Sequence, residues 1–165
     1  MVIPLRRTGD ASVLQWTAMV DEAPSGFLPA NTPSVVRAAE ASGWVVHLQG
    51  VSHAVVEAEG EDLSLITSTL WSWEARHLRE QLRGHPSRLL VIDRMWVKES
   101  CRGTGLGKRL VRTMLREYPA AVAACIPWPT EGEHTAAATA KLRMYWASLG
   151  FAPAVADERV YRAET

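Results

Sequence analysis

RLLVIDRMWVKESCRGTGLGKRLVRTMLREY, residues 88–118, runs from an apolar segment through a glycine-dense turn into an amphipathic one. Arg88 to Val97 is rich in aliphatic and β-branched residues and reads as a buried strand. Three glycines then fall within the five positions from Gly103 to Gly107. Beyond them Leu106, Leu110, Val111, Met114 and Leu115 recur at helical spacing, with Lys108, Arg109, Arg112 and Arg116 on the other side. A strand feeding a glycine turn that opens a helix is a device for holding phosphate. The first helical turn carries unpaired N–H groups and the positive end of the dipole, and glycines let an anion approach the backbone.

Spacing separates three phosphate motifs. A P-loop needs a glycine five residues before the Gly-Lys pair and a Ser or Thr after it, but Arg102 and Arg109 hold those places around Gly107-Lys108. A dinucleotide fingerprint needs its third glycine at 108, where Lys108 stands. What remains is R-x-x-G-x-G at Arg102, Gly105 and Gly107, five residues beyond Val97. With its strand and helix, this unit resembles the acyl-CoA pyrophosphate loop of the GNAT family, the Gcn5-related N-acetyltransferases. A second resemblance is Y-x-x-x-x-G-F, at Tyr145, Gly150 and Phe151, which is typical of that family's last helix. Together they cover roughly Arg88 to Phe151. The plain alternative is an ordinary glycine-rich strand-to-helix turn.

Composition narrows the classes. A chain of 165 residues fits one domain, residues 1–165, with a proper core. Apolar residues make up 47%, which argues against disorder, and the zero formal charge argues against general nucleic-acid binding. Cys101 and Cys125 form no CxxC and suggest no disulfide framework, so a reduced, cytoplasmic setting is expected. The histidines show no metal-ligand spacing, and no metal is expected. No stretch is long and apolar enough to span a membrane, and no signal-peptide core is apparent.

Upstream, Val2 to Arg6 reads as a short strand, and Asp10 or Ser12 as the cap of a helix through Glu22. Thr32-Pro33 reads as the start of a second helix closed by Gly43. Trp44–Leu48 and His53–Glu57 read as strands paired around Gln49-Gly50, with Leu63–Thr67 as a third. Trp71, Ala75, Leu78 and Leu82 predict a helix ending at Gly84, and its roles as lid, dimer contact or packing element stay open. Downstream, Ala120–Ile126 predicts a parallel strand that ends in Pro127-Trp128-Pro129. Ala138, Leu142, Tyr145, Trp146 and Leu149 mark a helix face, and Arg159–Arg162 an edge strand.

The resemblance implies an α/β (α+β) fold: one GNAT-like domain with a mixed central sheet, splayed parallel strands and flanking helices. It implies an acyl-CoA N-acyltransferase that carries acetyl from acetyl-CoA to an amine. The neutral charge and the lack of an apolar span lead to the expectation of no nucleic-acid or membrane partner, and a homodimer is one option. A non-catalytic acyl-CoA-binding module on the same fold is the alternative. By the resemblance, Trp96, Val97 and Lys98 at the strand end hold the pantetheine arm. The turn residues Arg102, Gly103, Thr104, Gly105, Leu106, Gly107 and Lys108 hold the pyrophosphate. Tyr145 corresponds to the family's general acid, though it also lies on its helix's apolar stripe. Family members often carry an asparagine where Ala138 stands, and some carry a glutamate base where Val91 stands. Asp93, two residues on, is then either a structural ion-pair partner or a base acting through water. Glu57, Glu131, Glu133 and His134 are weaker candidates for the base. Trp128, with Trp71, is the candidate wall of an acceptor pocket, against a plain packing or dimer role.

Overall fold

The computed structural model describes residues 5–7, 12–22, 36–47, 56–57, 59–70, 88–120, 122–129, 135–155 and 157–164. Its strands are β1 (Leu5–Arg7), β2 (Val13–Glu22), β3 (Val36–His47), β4 (Arg88–Val97), β5 (Val122–Cys125), β6 (Ala152–Pro153) and β7 (Tyr161–Glu164). Its helices are α1 (Glu61–Thr69), α2 (Leu106–Glu117) and α3 (Ala136–Ala147). The strands form one mixed sheet in the order β1-β2-β3-β4-β5-β7-β6, with β4 and β5 parallel and every other neighbouring pair antiparallel.

Helices cover both faces. On one, Leu63 and Ile66 of α1 bury against Trp44, Val46, Leu89 and Val91. On the other, Leu110, Val111 and Met114 of α2 and Trp146 of α3 bury against Trp16, Ala39, Ala41, Leu90 and Ile92. Leu89 to Ile92 of β4 are therefore buried, alternating between the two sides, which explains that apolar run.

The N-terminal half departs from the expected helices. Val13–Glu22 and Val36–His47 are long strands, not helices capped at Ser12 and closed at Gly43. Alanine, methionine and glutamate carry helix propensity there, but Trp16 and Ala18 point alternately into the core, and cross-strand pairing overrides propensity. Trp44 to His47 continue β3 and pair with β2 and β4; of the expected partner strand only Val56 and Glu57 are described, and they are helical. Leu63–Thr67 is helix: Thr67 returns its hydroxyl to the Leu63 carbonyl at 2.8 Å, which satisfies a β-branched residue inside α1. The last strand is Tyr161–Glu164, and it lies inside the sheet between β5 and β6 rather than at an edge. The expected helix from Trp71 to Gly84 lies outside the described residues, as do Asp10 and Thr32-Pro33.

One irregularity matters for the site. Gly43 pairs with Ile92 and Ser42 with Arg94, so Asp93 is an extra residue bulged out of β4. The bulge shifts the alternation. Leu90 and Ile92 face the α2 side before it, and Met95 and Val97 pack on that same side after it. Gly43 permits this: a Cβ there would lie 1.9 Å from the Val91 carbonyl oxygen.

Candidate active site

The site is made by ending one strand early. β4 and β5 pair from Leu89–Val122 to Ile92–Cys125 and no further. β4 continues to Val97, paired among the described residues only with β3. Beyond Cys125 the chain runs into Pro127 and Pro129, which have no N–H to continue a ladder. The strands part there, and a cleft of about 860 Å³ opens, a volume suited to a large organic ligand. Asp93, Trp96, Val97, Arg102, Gly103, Gly105, Leu106, Gly107, Lys108, Trp128 and Tyr145 all line it. Of the other expected residues, Lys98 and Thr104 stand off the lining, and Trp71 lies outside the described residues.

At one end lies the glycine turn. Glu99–Cys101 forms a short 3-10 turn, and Gly103 and Gly105 follow with φ of +79° and +80°. Only glycine enters that region freely, and a Cβ at either position would meet nothing within 4 Å. These glycines therefore serve the backbone path and leave it open to solvent. Gly105 caps α2, and no side chain caps the helix. The first helical bond runs from Arg109 N–H to the Gly105 carbonyl, so the amides of Leu106, Gly107 and Lys108 precede any helical partner. No acidic residue stands in that first turn. Amides without helical partners at the positive end of a dipole suit a phosphate. Arg102 lines the cleft, and its Nε donates to the Val97 carbonyl at 3.0 Å, which ties the turn to the strand end. Thr104 likewise donates to the Cys101 carbonyl at 2.7 Å, a bond internal to the turn.

At the other side stands Tyr145. Thr135 caps α3 by accepting from the Ala138 N–H, and Gly150 at φ +91° turns the chain so that Phe151 returns to Trp146. Trp146 stacks edge-on with both Tyr145 and Phe151, at centroid distances of 5.4 and 5.0 Å. That packing explains the G-F pair and fixes the phenol ring. The Tyr145 hydroxyl donates to the Met95 sulfur at 3.6 Å. Burial, with the neighbouring buried Cys125 adding to it, pushes its pKa up to about 12. Met95 went unnoticed in the sequence, although it stands two residues before Val97 and therefore on the same strand face.

Asp93 reaches the cleft from the strand bulge. Burial raises its carboxyl pKa; Arg94, 3.5 Å away, opposes this, and Asp62 of α1 adds to it. Asp93 and Tyr145 line the same cleft. Trp128 is 57% exposed on the lining. A second depression of about 500 Å³ lies across β4, lined by Arg37, Glu40, Ser42, Arg94, Met95 and Trp96. It has no sequence signature, because Arg37, Glu40 and Ser42 belong to the strand expected as a helix. Of the weaker candidates, Glu57 stands outside the lining of either depression, and residues 131, 133 and 134 lie outside the described residues. Among the described residues no helix is long and apolar enough to cross a membrane.

The acetyltransferase (GNAT) family model matches residues 14–151. Among solved structures, one described as "The crystal structure of KacTA-DNA complex" is similar at 10% identity, with a TM-score of 0.49, over 94% of this chain and 70% of that one. Another, "Crystal structure of AtaTR bound with AcCoA", is similar at 11% identity, with a TM-score of 0.42, over 93% and 71% of the two chains. No curated protein matches the sequence.

Proposed function

We propose that this chain, which belongs to the acetyltransferase (GNAT) family, acts as one domain that transfers an acetyl group from acetyl-CoA to a primary amine of a small molecule or peptide, by direct attack in a ternary complex. The observation that carries this is the pairing of β4 and β5, which stops at Ile92–Cys125 while β4 runs on to Val97. An unpaired strand edge needs partners for its N–H and C=O groups, and an amide-bearing arm supplies them. The glycine turn lies at one end of that edge and the Tyr145 hydroxyl beside it.

The chemistry follows from those groups. The neutral amine attacks the thioester carbon, the C–S bond breaks, and the departing sulfur takes the proton of Tyr145. A phenol pKa near 12 keeps that proton in place at neutral pH, so the donor is loaded before each turnover. The amine's surplus proton leaves towards Asp93, directly or through water, while Tyr145 serves the sulfur; both residues line the same cleft.

The test is to incubate the protein with acetyl-CoA and a panel of amines and peptides, following thiol release and acetylated product. Acetyl-CoA at a hundredfold excess over Kd should stabilise the fold by about 2.7 kcal/mol. Tyr145→Phe should lower kcat by about 10²–10⁴-fold with little change in acetyl-CoA Kd. Stabilisation without thiol release for any acceptor would favour the non-catalytic module. No stabilisation at all would remove both readings.

A further inference from the structure

The third glycine of the turn differs from the other two. Gly103 and Gly105 need glycine for their positive φ and have open space around them. Gly107 is buried within α2 at an ordinary helical φ, which any residue adopts. Its amide would be the same in alanine, and alanine favours a helix more than glycine does. Neither conformation nor anion binding therefore explains a glycine here. Space does. A Cβ at Gly107 would lie 2.9 Å from the Tyr145 hydroxyl, 3.4 Å from Val97 Cγ2 and 3.7 Å from Met95 Cε. The hydroxyl donates to the sulfur of that same Met95. The phenol cannot easily swing away, because Trp146 holds its ring edge-on.

We infer that Gly107 is a positioning residue for Tyr145: its missing Cβ, with Met95 and Val97, forms a socket that holds the hydroxyl at the open edge of β4. The Met95 thioether is the resting acceptor of that hydroxyl, and the substrate sulfur takes its place when acetyl-CoA binds. The catalytic half of this inference rests on the proposed role of Tyr145 as the acid. The socket itself rests on packing alone.

Four proteins test it: wild type, Gly107→Ala, Tyr145→Phe and the double variant. Their Tm without ligand, acetyl-CoA Kd and kcat are compared. In the wild-type background Gly107→Ala should lower Tm. With Tyr145→Phe the hydroxyl is gone, and the same change should raise Tm, as glycine to alanine within a helix ordinarily does. In the wild-type background kcat should fall at least about tenfold, whereas with Tyr145→Phe it should fall less than about twofold further, the non-additivity of two residues that act as one unit. The acetyl-CoA Kd should move less than about threefold in either background, as expected when ground-state binding is spared. If Gly107→Ala alone does not fold, rescue of folding in the double variant is the expected result. A Tm change of the same sign in both backgrounds, or failure of both to fold, overturns the socket. A Kd weakened equally in both backgrounds returns Gly107 to the phosphate turn. An unchanged kcat in Tyr145→Phe overturns the catalytic half, and the paired Tm values decide the socket independently.

Discussion

β4 has two unlike edges. Towards β3 its pairing runs from Arg88–His47 to Val97–Ala39, broken only by the Asp93 bulge. Towards β5 it holds for four pairs and then ends. The residues beyond Ile92 are thus fixed from one side and open on the other. Rigidity and binding capacity in a single strand come from its two edges separately. A closed edge satisfies the backbone from within the protein; an open edge leaves groups that water or a ligand must satisfy.

Breaking the closed edge should have the largest effect. In Gly43→Ala the added Cβ would meet the Val91 carbonyl oxygen at 1.9 Å, its carbon at 2.9 Å and the Asp93 nitrogen at 3.1 Å. These are backbone atoms of the neighbouring strand, and they cannot step aside without breaking the ladder. The cost should reach or exceed the top of the roughly 1–3 kcal/mol range for overpacking. At about 2–4 °C per kcal/mol, Tm should drop by at least about 6 °C in a calorimetric or circular-dichroism melt. An unchanged Tm would mean that β3 and β4 do not approach so closely, and the contrast between the edges would weaken.

On the open edge Gly105→Asp should do the reverse, sparing the fold and losing the ligand. The residue has open space around it and stands at a helix N-cap, where aspartate is favoured, although its φ of +80° is strained for any side chain. The two effects oppose each other, so Tm should move little. A carboxylate about 6 Å from a bound phosphate, at an effective dielectric near 20, repels it by about 2.8 kcal/mol, roughly a hundredfold in Kd. Titration calorimetry with acetyl-CoA measures this directly. A folded variant that binds like wild type would remove the anion role from the turn.

The two edges were unequally legible. The open one carried local signals: three glycines in the turn after β4, two prolines after β5, and a 3.6-residue stripe on each following helix. The closed one depends on β2 and β3, whose alanines and polar residues read as helix. Ala39 and Ala41 are small because α2 packs over them, a reason that lies in tertiary structure. In sequence Gly43 reads as a helix stop; an isolated glycine inside a strand marks a bulge, but only once the strand is known. Of the residues that line the cleft, Tyr145 is legible through its G-F partner, whereas Met95 and the space at Gly107 are not, because packing between β4, α2 and α3 has no sequence period.

Asp93 stands where the two edges diverge, and its substitution should act on stability and rate in opposite directions. Its side chain is 16% exposed, and burial raises its pKa above the ordinary 3.8. A carboxyl whose folded pKa is raised contributes its full stability below the unfolded value and loses it as pH rises through the folded value. At neutral pH the charged group is therefore a net cost. Asp93→Asn should raise Tm modestly at pH 7, and the gain should vanish below about pH 3.8. If the carboxylate accepts the amine's proton, kcat should fall in the same variant. A lower Tm at pH 7 would instead mark Asp93 as a structural partner of Arg94.

The smallest effect is expected at the mouth of the open edge. Trp128 is held between Pro127 and Pro129, and its backbone N–H donates to the Ile126 carbonyl at 2.8 Å, so the indole is presented from a stiff turn. With more than half its surface exposed, it contributes little to the core, and Trp128→Ala should leave Tm nearly unchanged. If the ring receives a cationic or aromatic acceptor, an exposed contact of that kind is worth about 0.5–1 kcal/mol, or a rise in acceptor KM of roughly two- to fivefold. The acetyl-CoA Kd should stay fixed. The two constants separate the alternatives, because the indole shares its cleft with the glycine turn. A weaker acetyl-CoA Kd with normal acceptor KM would assign the indole to the acyl-CoA side of the gap. A change from dimer to monomer with both constants intact would make it an interface residue, and the acceptor would then have to enter across β4, through the depression beside Glu40 and Trp96.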